Sequence, residues 1–107
     1  MKIRISDQSL RVRLSGQEAL MLEKGNALSA SLTFSAIDQF IFELRTWNLT
    51  IGEVHLEKNK IIASIPATAA ASLAHERGYC FTCEQLSDSE PALQLDIEID
   101  LEKTTNS

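Results

Sequence analysis

Apolar residues in this chain recur mainly at every second position. Ile3 and Ile5, then Leu10, Val12 and Leu14, alternate with basic or small polar residues. A period of two with one apolar face predicts two half-buried strands, Lys2–Ser6 and Ser9–Leu14, joined by a tight polar turn at Asp7-Gln8. Ser15-Gly16-Gln17-Glu18 then fits a capping box, in which the serine oxygen takes a backbone N–H and the glutamate reaches back to the serine amide. Ala19 to Leu22 give that helix an apolar side over about two turns, and Gly25 can take the left-handed conformation that ends it. So short a helix is marginal alone and must be held by packing on a sheet.

Alternation resumes at Ala27–Ser35, where Leu28, Ala30, Leu32 and Phe34 oppose serines and Thr33, and at Gln39–Trp47, where Phe40, Phe42 and Leu44 mark one face. Two further strands are predicted at about 51–57 and 60–65, then an alanine-rich helix, Ala67–Arg77, stopped by Gly78. Strands at about 79–86 and 92–102 follow, around a loop at Asp88-Ser89-Glu90-Pro91, and Thr104–Ser107 reads as a frayed tail.

The second half repeats the first. With an offset of 51, Ile3, Ile5, Leu10, Val12 and Leu14 fall on Val54, Leu56, Ile61, Ala63 and Ile65. Turn, helix and stop glycine return in the same order, and Phe40, Phe42, Glu43 and Leu44 then fall on Leu95, Ile97, Glu98 and Ile99. An internal repeat constrains architecture more than any single motif. The expectation is an α+β fold: a duplicated β-β-α-β-β unit, forming an eight-stranded, largely antiparallel barrel or strongly bent sheet with two short helices.

Length and composition fit that picture. A chain of 107 residues, 44% apolar and 23% charged, builds one soluble domain, read as 1–103 with pseudo-repeats at about 1–48 and 49–103. No apolar run approaches the roughly 20 residues that span a bilayer, and the chain opens on a strand, so no membrane partner and a cytoplasmic location are expected. A net charge of −5 argues against nucleic acid as a partner.

That charge is unevenly placed. Lys2, Arg4, Arg11 and Arg13 project from one side of the first hairpin, and Asp96, Glu98, Asp100 and Glu102 from one side of the last strand. If these strands are neighbours, the plain reading is a solvated ladder of ion pairs worth about 0.2–1 kcal/mol each. The alternative turns them inward to line a tunnel. Arg4, Arg11 and Arg13 would then bind the phosphates of an anionic small molecule, and Glu98, Asp100 and Glu102 a divalent Mg²⁺ ion. Apolar cover favours the ladder: with charges inside, eight apolar strand faces point outward, and two helices of about 15 Å each cannot cover them.

Other candidates are weaker. Cys80-Phe81-Thr82-Cys83 lies on a predicted strand, where residues three apart sit ~10 Å apart on opposite faces, too far for a disulfide. A zinc site completed by His75 or His55 lacks a second C-x-x-C, so two buried, reduced thiols are expected. Neither histidine has a nucleophile at a recognisable spacing, and four scattered glycines make no phosphate loop. Ile41, Trp47 and Ile62 are a candidate outward apolar patch, which would suit a homodimer. No cofactor is implied.

The opening Lys2-Ile3-Arg4-Ile5, then Ser9-Leu10-Arg11-Val12-Arg13-Leu14-Ser15 with Glu18 behind it, resembles a family of small bacterial proteins of unknown function. In that family a K-x-R-I strand, a turn and an S-[IL]-R-x-R-L-[ST] strand recur; this chain departs at Asp7-Gln8, where the family has Gly-Asn. A second likeness is to triphosphate tunnel enzymes, which also duplicate such a unit into an eight-stranded barrel. Their E-x-E-x-K strand is replaced here by Lys2-x-Arg4, and only Glu98-x-Asp100-x-Glu102 offers spaced acids. Two functions follow as expectations: a non-catalytic accessory or interaction domain with an unidentified protein partner or a second copy, and a tunnel-type polyphosphate or nucleotide binder or triphosphate hydrolase.

Overall fold

The computed structural model describes residues 1–48, 50–84 and 93–100. The anticipated loop at Asp88–Pro91, the tail and Glu102 lie outside them. The elements follow the alternation closely: β1 (Lys2–Ser6), β2 (Ser9–Leu14), α1 (Gly16–Glu23), β3 (Leu28–Thr33), β4 (Gln39–Trp47), β5 (Glu53–Glu57), β6 (Lys60–Pro66), α2 (Ala67–His75), β7 (Cys80–Glu84) and β8 (Gln94–Ile99).

Local chemistry accounts for the helix ends. The Glu18 N–H donates to Ser15 Oγ at 3.1 Å and the Ser15 N–H to Glu18 Oε1 at 2.9 Å, so the capping box forms as its residues predict. The N-terminal ammonium adds an ion pair to Glu18 Oε2 at 2.6 Å. Partial burial works to raise the Glu18 pKa, but the hydrogen bonds from the ammonium and from Ser15, with the ammonium's charge, hold it below the usual carboxylate range. Ser15→Ala is therefore expected to cost about 1 kcal/mol, read as a lower urea midpoint. Both helices give way to glycines with positive φ, 97° at Gly25 and 83° at Gly78. None of the described helices is long and apolar enough to cross a membrane.

The strands do not close into a barrel. They form two four-stranded sheets, β1-β2-β8-β7 and β3-β4-β6-β5, each with antiparallel outer pairs and one parallel pair in the middle. The reason lies in the helices. Each takes the chain from one sheet to the other: α1 runs from β2 to β3 and α2 from β6 to β7. The first hairpin of each half therefore pairs with the second hairpin of the other half. β2 lies parallel to β8, and β6 to β4.

The register also corrects the repeat. Leu10 faces Leu95 across the first parallel pair and Ile61 faces Phe42 across the second. Since Leu10 corresponds to Ile61, Phe42 corresponds to Leu95, an offset of 53 rather than the 55 suggested by sequence. The offset is therefore 51 before the helices and 53 after them. Strands of the same period align equally well two residues apart, and only the ladder distinguishes the two.

Both inner faces feed one apolar cluster. Leu10, Val12, Leu14, Leu95 and Ile97 from one sheet meet Phe42, Leu44, Val54, Ala63 and Ile65 from the other, all at most 3% exposed. α1 and α2 pack against each other and close this core with Ala19, Leu22, Ala69, Ala70 and Leu73. The alanines of α2 leave room for that close approach.

Candidate functional site

The charged strands are neighbours, and their charges face outward. In the β2–β8 register Arg11 stands beside Asp96 and Arg13 beside Glu98. Arg13 Nε donates to Glu98 Oε2 at 2.8 Å, Lys2 Nζ lies 3.0 Å from Asp100 Oδ2, and Arg11 Nη2 is 3.9 Å from Asp96 Oδ2. Asp96 is also held by Thr82 Oγ1 at 3.0 Å and Gln94 Nε2 at 3.3 Å. The alternate residues Leu10, Val12 and Leu14 fill the core, so the tunnel geometry is overturned. Burying the apolar face outweighs what the charges would gain from an enclosed ligand.

Within this face Arg4 stands directly across β1–β2 from Arg11, and Lys2 across from Arg13. Like charges placed so disfavour the pairing. Asp96 and Glu98 on β8, with Asp100 just past its end, offset three of the four cations, while Arg4 meets no carboxylate among the described residues. A hollow of 170 Å³ lies among Lys2, Ile3, Arg4, Arg11 and Arg13. Of the proposed metal ligands, Glu98 is engaged with Arg13 and Asp100 with Lys2. Among the described residues no three His, Cys, Asp or Glu side chains come together as a metal site.

The cysteines differ from the expectation of two buried thiols. Among the described residues β7 pairs only with β8, and Cys80, on the outer face beside Glu98, is exposed. Cys83 turns inward and is half-buried; burial, with the Asp96 charge added, pushes its thiol up to about 11. Thiolate, not thiol, is alkylated. At pH 8 iodoacetamide is thus expected to modify Cys80 and spare Cys83 until the protein is unfolded, as read by peptide mass mapping. His75 Nε2 lies 2.9 Å from Glu23 Oε1 across the two helices, and His55 Nε2 lies 3.3 Å from Glu53 Oε1. Neither histidine is placed with the cysteines.

The Ile41, Trp47 and Ile62 side chains share an outer face but not a patch. Glu43 and Arg45 intervene along β4, Ile62 sits opposite Glu43, and the Arg45 guanidinium covers the Trp47 ring at 4.8 Å.

The open apolar surface is elsewhere, between edge strands β1 and β3. There Met1, Ile3 and Ile5 face Ala30, Leu32, Phe40 and Phe42 across a cleft of 250 Å³. It runs on into a 610 Å³ trough lined by Ile5, Leu32, Phe34, Phe40 and three polar residues. At the corresponding place in the second half, β5 and β7 approach each other closely beside Gly52. A Cβ at Gly52 would stand 2.8 Å from the Phe81 ring and 3.1 Å from Cys83 Sγ. By the repeat, Phe81 corresponds to Leu28 and Cys83 to Ala30, so the first half carries smaller residues at both places. Val54 is 2% exposed, whereas its counterpart Ile3 is half-buried. In sequence, Leu32 and Phe34 correspond to the polar Gln85 and Ser87. Alternation alone could not reveal this trough, because Leu32 and Phe34 fit the pattern of core residues. The signal was the loss of apolar type at their repeat counterparts.

Comparison with known proteins adds a family and no activity. No curated protein and no solved structure matches the chain. The uncharacterised-family expectation is met, while the open sheets give no support to the tunnel-enzyme likeness. With a family model matching residues 1–107, the chain belongs to the family of unknown function DUF7009.

Proposed function

We propose that this protein is a non-catalytic interaction domain that receives an extended protein segment along the β3 edge, with side chains of that segment seated in the β1–β3 trough. The observation that carries this reading is the open apolar trough beside β3, lined by Ile5, Leu32, Phe34 and Phe40, whereas in the second half Phe81 and Cys83 pack closely beside Gly52. Strand addition suits such a place: the edge supplies main-chain hydrogen bonds and the trough takes alternate side chains. A cytoplasmic setting belongs to this reading and is supported by the two free thiols. The test is fluorescence of anilinonaphthalene sulfonate with dilute protein. Wild type and Arg11→Ala are expected to enhance it alike, and Leu32→Glu to remove most of the enhancement. Enhancement unchanged by Leu32→Glu would sink the reading.

A second reading is favoured by the Arg4–Arg11 juxtaposition alone. Here a polyphosphate rests on Arg4, Arg11 and Arg13, with Glu98, Asp100 and Glu102 serving a divalent metal. Tripolyphosphate at 100 times its dissociation constant would then add about 2.7 kcal/mol of stability, seen as a magnesium-dependent rise in melting temperature. Arg11→Ala would abolish the rise. On the preferred reading no such rise occurs.

A further inference from the structure

We infer that the segment received at β3 is β3 of a second copy of this chain, joined antiparallel across a two-fold axis. The inference rests on the strand-docking reading above and names its partner.

Among the described residues, β1, β7, β3 and β5 are the outer strands of the two sheets. A two-fold pair sets an edge against itself, so charges of one sign on it are brought close to their own copies. β1 carries Lys2 and Arg4, β5 carries Glu53 and Glu57, and β7 carries Glu84. β3, Leu-Ser-Ala-Ser-Leu-Thr, carries no charge at all. An uncharged edge is a liability in a monomer, since nothing on it discourages pairing. Among the described outer strands it is the one with no charge to repel its own copy in any register.

Side-chain parity agrees. Residues directly opposite in an antiparallel pair point to the same face, so the axis passes through a residue rather than between two. Centred on Ser31, the pair sets Ala30 against the partner's Leu32 and Ser29 against the partner's Thr33. Apolar side chains thus meet apolar ones on the trough side, and hydroxyls meet hydroxyls on the outer side.

The area is of the right order. Ile5, Leu32, Phe34 and Ile37 are 74%, 58%, 68% and 88% exposed. Together they present on the order of 500 Å² of apolar surface. With the backbone of β3 added, that approaches the ~800 Å² per partner of a stable interface. The turn presenting Ile37 is tied in place: the Phe34 N–H donates to the Asp38 carbonyl at 2.7 Å, and Ser35 Oγ accepts from the Ile37 and Asp38 N–H groups at 3.3 and 3.1 Å.

Sedimentation velocity from micromolar to near-millimolar protein tests the inference, with Ser31→Lys as the variant. That side chain is exposed on the outer face, so the fold should keep its melting temperature at dilution. Wild type is expected to dimerise. Ser31→Lys should dissociate at least ten times more readily and recover part of the loss in high salt, which screens the repulsion at the axis. A wild-type monomer throughout, or a dimer indifferent to Ser31→Lys, overturns the inference. The dye experiment separates the two failures. A monomer that still loses dye enhancement on Leu32→Glu removes the second copy and leaves strand docking in place. A monomer whose enhancement ignores Leu32→Glu removes both.

Discussion

Replacing Phe42 with alanine is expected to lower the unfolding free energy by about 3–5 kcal/mol. Phe42 is 1% exposed and stands in the middle of its sheet, opposite Ala30 on β3 and Ile61 on β6. Its removal takes the ring out of contact with both neighbouring strands and leaves a cavity the sheet cannot close. A domain of this size has only about 5–15 kcal/mol to lose, so the variant sits near the edge of folding. The same deletion at Phe34, which is 68% exposed in the trough, should cost well under 1 kcal/mol. Urea unfolding of the pair separates them: the midpoint falls steeply for Phe42→Ala and hardly moves for Phe34→Ala. Equal losses would mean that Phe34 belongs to the core and that the trough is not a free surface.

The second large effect is expected at Gly52. An added methyl would stand 2.8 Å from two carbons of the Phe81 ring and 3.1 Å from Cys83 Sγ, closer than packed atoms tolerate. Gly52→Ala must push the ring aside, which costs about 1–3 kcal/mol. Each kilocalorie lowers the melting temperature of a domain this size by about 4–8 °C. The repeat supplies the rescue. The first half carries Leu28 where the second carries Phe81, so Phe81→Leu should restore most of the loss when combined with Gly52→Ala. Additive losses in the double variant would contradict the close approach of Gly52 to the ring.

What the sequence made legible is instructive in its pattern. Alternation placed every strand and both helices, because burial of one face is a local demand that each strand meets residue by residue. The capping box and stop glycines were equally local. Even the ladder of Arg11 on Asp96 and Arg13 on Glu98 could be foreseen from complementary faces. What alternation cannot supply is the identity of a neighbour. β2 finds β8 more than 80 positions away, and in parallel, because α1 and α2 carry the chain from sheet to sheet. A barrel and two open sheets present the same period of two. Cys80 was misjudged for a different reason: residues three apart on a strand point to opposite faces, so Cys80 stands beside the outward Glu98 while Cys83 stands beside the buried Leu95.

The candidate site was hidden more deeply. Leu32 and Phe34 read as core by type and period, and nothing local marks them as exposed. Their exposure follows from the small residue Ala30 beside them and from β3 being, among the described residues, the outer strand of its sheet. The charged face, conspicuous in the sequence, spends most of its charge on itself.

Amide hydrogen exchange of the four edge strands, followed as protein concentration rises, tests the docking of a second copy at β3 most directly. With a second copy docked there, amides of β3 gain protection as concentration rises, while those of β1, β5 and β7 keep the rates they have at dilution. Exchange at β3 that stays fast at every concentration, or protection that builds at another edge instead, would contradict it.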